Sequence, residues 1–345
     1  MALQGGGTHG AFSWGVLDRL LEDDGLEIAA ISGTSAGALN GAAYKSGWLT
    51  GGRRGAKENL DWLWAQVGAV GDLRLAAWML PFQPWMRQVA DVVDAAMPVS
   101  PQGLLAQVVS PYGMGPFWRN PLERVVQRFH FDKVCADHGP RLFVGATNVR
   151  TGKIRVFSGA EITTDVILAS ACLPTVFQAV DVPDPVTGTV ETYWDGGYTG
   201  NPALFPLYAR DLPDDIVIVN INPLRREAVP DTAVEIQNRI NEISFNASLL
   251  ADLRAINFVK ELIADGKVAK GAMKDVLVHM IADDPLMNEL TAGSKQLASP
   301  YLLFRLKEAG RAAAFLKAHR KDIGKRASVD LERVVAIMIQ DSHWL

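Results

Sequence analysis

The sequence predicts an α/β fold with a mainly parallel central sheet. Three observations carry this. A glycine cluster at Gly5 to Gly10 runs into an amphipathic helix, "LEIAAISG" meets "GTSAG" and turns into a second helix, and short apolar runs keep alternating with helical periodicity as far as "DVLVHMI". Strands buried on both faces read as near-continuous apolar runs, which is how "LEIAAISG" and "DDIVIVNIN" read.

In order along the chain, the short strand "ALQ" precedes the glycines. "AFSWGVLDRLLED" then sets Phe12, Val16, Leu17, Leu20 and Leu21 on one side of a helix, ended by Gly25. "LEIAAISG" is a buried strand, and "ALNGAAYKSG" is a helix that Gly47 is expected to stop. Residues 48–118 change character, with six of the nine tryptophans. They read as an insertion of short helices forming a cap over an apolar site, against the plainer reading that the aromatics pack on the main body. "PLERVVQRF" is helical, and "RLFVGATNVRTGKIRVFSG" is two strands joined by "RTGK". "TTDVILASACLP" is a helix ended by Pro174, and "TYWDGGYTGNPALFPLY" is a strand end, a glycine turn and a helix opening on Pro202. "DDIVIVNIN" is a strand. A long helix from about Val234 to Asp265, the strand "DVLVHMI" and a terminal helical region complete the chain.

Composition narrows the function classes. With 48% hydrophobic and 21% charged residues the 345-residue chain reads as soluble and globular. A net charge of −4 argues against nucleic acid or an anionic membrane held by electrostatics, and leaves open a lipid surface met through apolar contact. Cys135 and Cys172 are too few for a disulfide framework or a cysteine-rich metal site. No apolar run approaches the roughly 20 residues that span a bilayer, and no secretory signal precedes the glycines. The expected setting is cytoplasmic, with peripheral membrane contact as its variant.

Gly33-Thr34-Ser35-Ala36-Gly37 is G-x-S-x-G between a buried strand and a helix. A nucleophilic serine there stands on a sharp strand-to-helix turn whose crowding admits only small neighbours, hence Gly33, Ala36 and Gly37. The helix behind it directs its positive end at the attacked group. The G-x-G-x-x-G at Gly5, Gly7 and Gly10 also matches a dinucleotide fingerprint. A ribose-binding acid should then end the second strand, but that strand ends in Ile31-Ser32-Gly33 and Glu27 sits at its start. A P-loop is excluded because no G-K-[ST] follows. The glycine loop therefore reads as an oxyanion hole, with N–H groups of Gly6, Gly7 and Thr8 aimed at a carbonyl oxygen that gains charge during reaction.

A serine needs a base, and no histidine has a convincing setting. His319 lies in a charged stretch, His343 near the end, and His279 alternates within a strand; His130 and His138 sit in polar stretches. His9, inside the glycine loop, belongs on the oxyanion side. Asp195 in "YWDGGYTGNP" stands at a strand end, followed by Gly196 and Gly197, which permit a tight, close-approaching turn.

Taken together, Gly5-Gly6-Gly7-Thr8-His9-Gly10, Gly33-Thr34-Ser35-Ala36-Gly37 and Asp195-Gly196-Gly197 resemble, in order, the motifs of the patatin-like phospholipases. "ASACLPTVFQAV" at Ala169 to Val180 is similar to that family's small-residue helix ending in Pro, and the later helical stretch resembles an extension of some bacterial members. The resemblance implies a three-layer α/β/α fold and a Ser–Asp dyad. Ser35 is then the nucleophile, Asp195 the base, and Gly5, Gly6, Gly7 and Thr8 the oxyanion loop. It also implies a catalytic domain over residues 1–225, with the cap-like insertion at 48–118, and a mostly helical extension over 226–345 packed on the same domain. His9 departs from the family's usual Arg or Lys; a partly protonated His9 would make activity respond to pH near neutrality. Asp195 must be desolvated to serve as a base, and Tyr193, Trp194 and Tyr198 are expected to surround it. The function this implies is hydrolysis of a lipid-type carboxylic ester through an acyl-enzyme, with no metal and no cofactor. The rivals are an acyltransferase on a related fold and a lipid-binding relative without turnover.

Overall fold

The computed structural model describes residues 1–72, 111–114, 120–185, 188–269, 271–290, 292–295 and 298–317. Most of the expected cap (73–110 and 115–119), with Trp78, Trp85 and Trp118, lies outside the described residues, as do His319 and His343.

Strand β1 (Ala2–Leu3) enters the glycine loop, and helix α1 (Gly10–Leu20) follows it. Next come β2 (Ala30–Gly33) and α2 (Ala36–Asp72). Two one-turn helices, α3 (Glu123–Val126) and α4 (Phe131–Val134), lead to the hairpin β3 (Arg141–Asn148) and β4 (Ile154–Ser158). Helix α5 (Thr164–Ser170) precedes a second hairpin, β5 (Val180–Asp184) and β6 (Thr189–Asp195). The chain then runs through β7 (Asp215–Asn220), α6 (Ala233–Ala264), β8 (Leu277–Ala282), α7 (Asp284–Glu289) and α8 (Pro300–Lys317).

These strands form one mixed, mostly parallel sheet: β1 pairs β2 and β7, β2 pairs β3, and β7 pairs β8, all parallel. The hairpin partners β4, β5 and β6 are antiparallel. Alternation along each strand divides the apolar residues between the two faces, as a pleat of period two requires. Leu3, Val219 and Ile281 join one core with Phe12, Val16 and Leu17 of α1, whereas Ala2, Ile216, Ile218 and Val278 join another with Leu249, Leu253 and Ile256 of α6. Helices thus cover both faces, and the three-layer expectation holds.

One detail of pairing places the site. Residues 143–147 of β3 are bonded to β4, so β2 (opposite residues 141–144) and β6 (opposite residues 146–148) must share the other edge of β3. They run toward each other along it. Gly33 faces Val144 and Asp195 faces Ala146, so the two strand ends meet with one β3 residue between them.

Three local expectations are corrected. Gly47 does not stop the second helix; the backbone leaves helical geometry at Gly51 and Gly52, where φ reaches 62° at Gly52. The two arms of α2 fold back on each other there. Trp64 Nε1 donates to Asn40 Oδ1 at 2.9 Å, Asn59 to the Ala43 carbonyl at 2.7 Å, and Gly47 lies against Gly55 closely enough to exclude a Cβ. Residues 48–72 therefore belong to the main body: Leu60, Leu63 and Trp64 are buried, and Trp64 stacks on Trp14. No helix opens on Pro202; a cis Asn201–Pro202 bond leads into a 3-10 turn, Phe205–Tyr208. Strand β5 was not anticipated, because its "VDVPD" carries two charges and a proline that disguise an edge strand.

The residues after 225 complete the same sheet through β8, and α8 packs against α1 so closely that Gly15 touches the Lys307 carbonyl and Gly310 the Phe12 carbonyl. Among the described residues, no helix is long and apolar enough to cross a membrane.

Candidate active site

Ser35 occupies the turn between β2 and α2, with φ of 55°, the one non-glycine residue at positive φ among the described residues. Such a conformation costs a non-glycine residue energy and persists only where its surroundings fix it. The fixing contacts are visible. Ser35 N–H donates to Ser170 Oγ at 3.0 Å, whose own hydroxyl donates to the Gly145 carbonyl at 2.7 Å. Gly37 is needed because a Cβ there would sit 2.1 Å from the Leu3 carbonyl, and Gly33 packs against the Gly37 backbone.

Asp195 ends β6 in full burial, its main chain pinned by N–H donation to the Cys172 carbonyl at 2.8 Å and by Thr147 Oγ1 donating to its carbonyl at 2.8 Å. Its Oδ1 accepts the Gly197 N–H at 2.8 Å. Oδ2 has no hydrogen bond of full geometry, although the Ser35 hydroxyl stands near enough to favour the charged carboxylate. The contact is an approach that a bound substrate can tighten, as catalytic hydrogen bonds in unliganded enzymes often do. Burial dominates, raising the carboxyl from 3.8 to about 7 against the opposing pull of the Gly197 N–H and Ser35. Tyr198 borders Asp195 as expected and stacks edge-on against Phe245 of α6 at 5.2 Å. Tyr193 packs on Phe157, and Cys172 adds to the wall beside Asp195. Gly196 fits under Thr34 and the Gly145 carbonyl, which ties the aspartate turn to the serine turn.

The glycine loop lies against the serine: a Cβ on Gly5 would come within 2.6 Å of Ser35 Cβ. Gly5 N–H is occupied by Asn201 Oδ1 at 2.6 Å, so Gly5 sets position and does not offer a donor. Gly7 has φ of 60° and opens the 3-10 turn Gly7–His9 that feeds α1. No hydrogen bond engages the N–H of Gly6 or Gly7 among the described residues. The Thr8 hydroxyl donates to the Ser294 carbonyl.

His9 is not a titrating group near neutrality. It is buried, its Nε2 pairs with Ser294 Oγ at 2.8 Å, and burial, with the Lys295 ammonium beside it, pushes it down to about 3. The imidazole stays uncharged, so the expected His9-driven pH response is overturned. His279 pairs with Asp215 at 2.7 Å toward the opposite end of β7 and β8, and His130 and His138 are exposed. A cavity of 340 Å³ opens at that opposite end, beside Ala30, Ile216 and His279, and takes in neither Ser35 nor Asp195. Among the described residues, no group of three His, Cys, Asp or Glu is placed to hold a metal ion.

Several polar residues that support the site carry no motif. Gln4 Oε1 accepts from the N–H groups of Ile221 and Asn222, and Asn222 Nδ2 donates to the Gly5 carbonyl at 2.8 Å. Glu242 of α6 is fully buried and grips Arg226 through two bonds of 2.7 Å, Lys295 at 3.0 Å and Arg239 at 3.3 Å. Their only sequence signal is polarity within otherwise apolar surroundings, as in "ALQGGG" and "VNINP".

Fold and site together define an α/β protein with a strained serine elbow, a facing buried carboxylate and a glycine loop with open N–H groups. A model of the patatin-like phospholipase family matches residues 1–208, and the chain belongs to that family. Among solved structures it is similar to VipD from Legionella pneumophila, at 14% identity and a TM-score of 0.39, over 91% of this chain and 65% of VipD. The chain therefore spans just under two thirds of that protein's length. No curated protein matches it in sequence.

Proposed function

We propose that the protein is a serine acyl hydrolase that cleaves a lipid-type carboxylic ester with Ser35 and Asp195. The observation that carries this reading is the fully buried Asp195, raised to about 7, with Oδ2 left without a hydrogen bond beside the Ser35 hydroxyl. A carboxylate of that proton affinity can take a proton in the transition state and return it, which one at 3.8 does poorly.

The steps follow from the positions. Ser35 Oγ attacks the ester carbonyl carbon while its proton passes to Asp195 Oδ2. The carbonyl oxygen, now an anion, is held by the N–H groups of Gly6 and Gly7, with Thr8 N–H next in line. Collapse breaks the bond to the alcohol oxygen, which leaves with the proton from Asp195, and an acyl-enzyme on Ser35 remains. Asp195 then accepts a proton from water, whose oxygen attacks the acyl carbon, and the acid departs as Oγ regains its proton. In this reading residues 1–225 carry the chemistry, residues 226–345 extend the same domain, and the lipid is met from solution or as a peripheral enzyme.

The test is covalent labelling followed by mass spectrometry. A fluorophosphonate is expected to attach to Ser35 alone in the folded protein, and Ser35→Ala to lose both labelling and turnover across a panel of phospholipid, lysophospholipid and acylglycerol esters. Labelling elsewhere, or full turnover by Ser35→Ala, would refute the reading. The pH dependence follows from Asp195: kcat/KM is expected to rise with pH to a plateau, with its midpoint near 7, because the base must be ionised in the free enzyme. A flat profile between pH 5 and 9 would contradict this assignment of the base.

A further inference from the structure

The polar cluster behind the glycine loop holds more positive than negative charge. Among the described residues Glu242 is the carboxylate in direct contact with Arg226, Arg239 and Lys295, and Glu235 acts on Arg226 from further off, which leaves three cations against two anions. Burial lowers the proton affinity of the Lys295 ammonium, and Glu242 is the acid that opposes this. Buried charge is weakly screened, so the excess acts on whatever polar groups lie next to it.

Those groups belong to the glycine loop. The 3-10 turn Ala292–Lys295 lies directly on it: a Cβ on Gly7 would sit 2.3 Å from the Lys295 carbonyl, Thr8 Oγ1 donates to the Ser294 carbonyl, and His9 Nε2 meets Ser294 Oγ. Lys295 Nζ donates to Asn222 Oδ1 at 3.3 Å, and that same oxygen stands 3.5 Å from where a Cβ of Gly6 would be. Asn222 in turn holds the Gly5 carbonyl. The ammonium of Lys295 is thus one side chain away from the two loop amides that have no partner among the described residues, while the imidazole at position 9 is neutral and supplies no charge.

We infer that Lys295 supplies the fixed positive charge for an anion forming at the Gly6 and Gly7 N–H groups. It acts through Asn222 and the loop, as a positioning residue that does not touch substrate. The inference rests on the acyl-hydrolase reading above. A cation buried beside open backbone donors, and sharing one carboxylate with Arg226 and Arg239, favours the state in which negative charge has arrived there, and in ester cleavage that state is the tetrahedral intermediate and its transition state.

The experiment uses the full chain and a soluble monomeric ester, with Ser35→Ala as the control. Lys295→Gln retains a donor for Glu242 and Asn222 but removes the charge; Lys295→Met removes both, and Lys295→Arg restores charge. For Lys295→Gln, kcat is expected to fall about tenfold with KM within twofold of wild type, below the ~100-fold or more that follows loss of a directly contacting donor. The affinity for an alkyl boronic acid, whose adduct with a serine is a tetrahedral anion, is expected to fall by the same factor, and Lys295→Arg to recover most of both. A purely structural role would alter thermal stability without this matched loss in kcat and boronate affinity. If Lys295→Gln and Lys295→Met fold and keep kcat and boronate affinity within twofold of wild type, or if Lys295→Arg folds and is as slow as Lys295→Met, the inference is overturned. An active Ser35→Ala would instead bring down the acyl-hydrolase reading itself, whereas an inactive Ser35→Ala beside an unaffected Lys295→Gln would remove the role of Lys295 alone.

Discussion

Asp195→Asn is expected to lower kcat by about 10⁴-fold, the scale seen when a catalytic carboxylate is replaced by its amide, and to leave the protein more stable than wild type at neutral and alkaline pH. The first part follows from the role proposed for Oδ2: an amide cannot accept the Ser35 proton. The second follows from burial. The carboxyl is raised from 3.8 to about 7, so between these values the folded state holds a proton that the unfolded chain has released. The carboxyl's contribution to stability is therefore full below about pH 4 and lost as pH rises through 7. Above pH 7 the buried carboxylate costs up to about 4 kcal/mol at 1.36 kcal/mol per unit. The amide never ionises and avoids that cost, and its oxygen can still accept the Gly197 N–H now held by Oδ1. Chemical denaturation of both proteins at pH 5 and pH 8, together with steady-state kinetics, checks the pair of claims. Equal stability at both pH values would mean that Asp195 is not desolvated in solution. Retained activity would remove it from the chemistry.

Glu242→Ala is expected to be strongly destabilising, by about 3 kcal/mol, within the range for removing one partner of a buried ion pair. It leaves Arg226, Arg239 and Lys295 facing one another without their carboxylate. The pH dependence has the opposite sign to that of Asp195. Burial opposes ionisation of Glu242, but its bonds to Arg226 and Lys295 outweigh burial and hold the carboxyl down at about 2, from 4.5. The stabilisation is present above about pH 4.5 and disappears as pH falls toward 2. Melts of wild type and Glu242→Ala should therefore differ by roughly 4 °C at pH 7, and the difference should narrow by pH 3. A constant difference at both pH values would show that the loss is one of packing and not of charge.

The strand-to-helix elbow, the aspartate turn and the glycine loop were legible because each is a contiguous stretch whose residue types answer to a local demand. Gly37 is read from its neighbours, and the structure gives the demand as a carbonyl 2.1 Å from any added Cβ. Most strands and long helices were legible for the same reason, since periodicity is local. The hairpin of α2 was not, because nothing local to Gly51-Gly52 shows that the returning arm meets the first, as Trp64 bonded to Asn40 does. Ser170, Asn201, Asn222, Glu242 and Lys295 were silent as well: each is an ordinary polar residue whose partner lies between 16 and 217 positions away.

The layered fold, the serine on its turn and the carboxylate on its strand end can be read from short segments, because backbone sterics and hydrophobic period are local. How strongly that carboxylate holds a proton, which loop amides are open, and where positive charge sits around them emerge from long-range packing alone. Those properties depend on burial and on distance between remote segments: desolvation raises Asp195 and silences His9, while the bond to Glu242 supports the Lys295 ammonium beside the glycine loop.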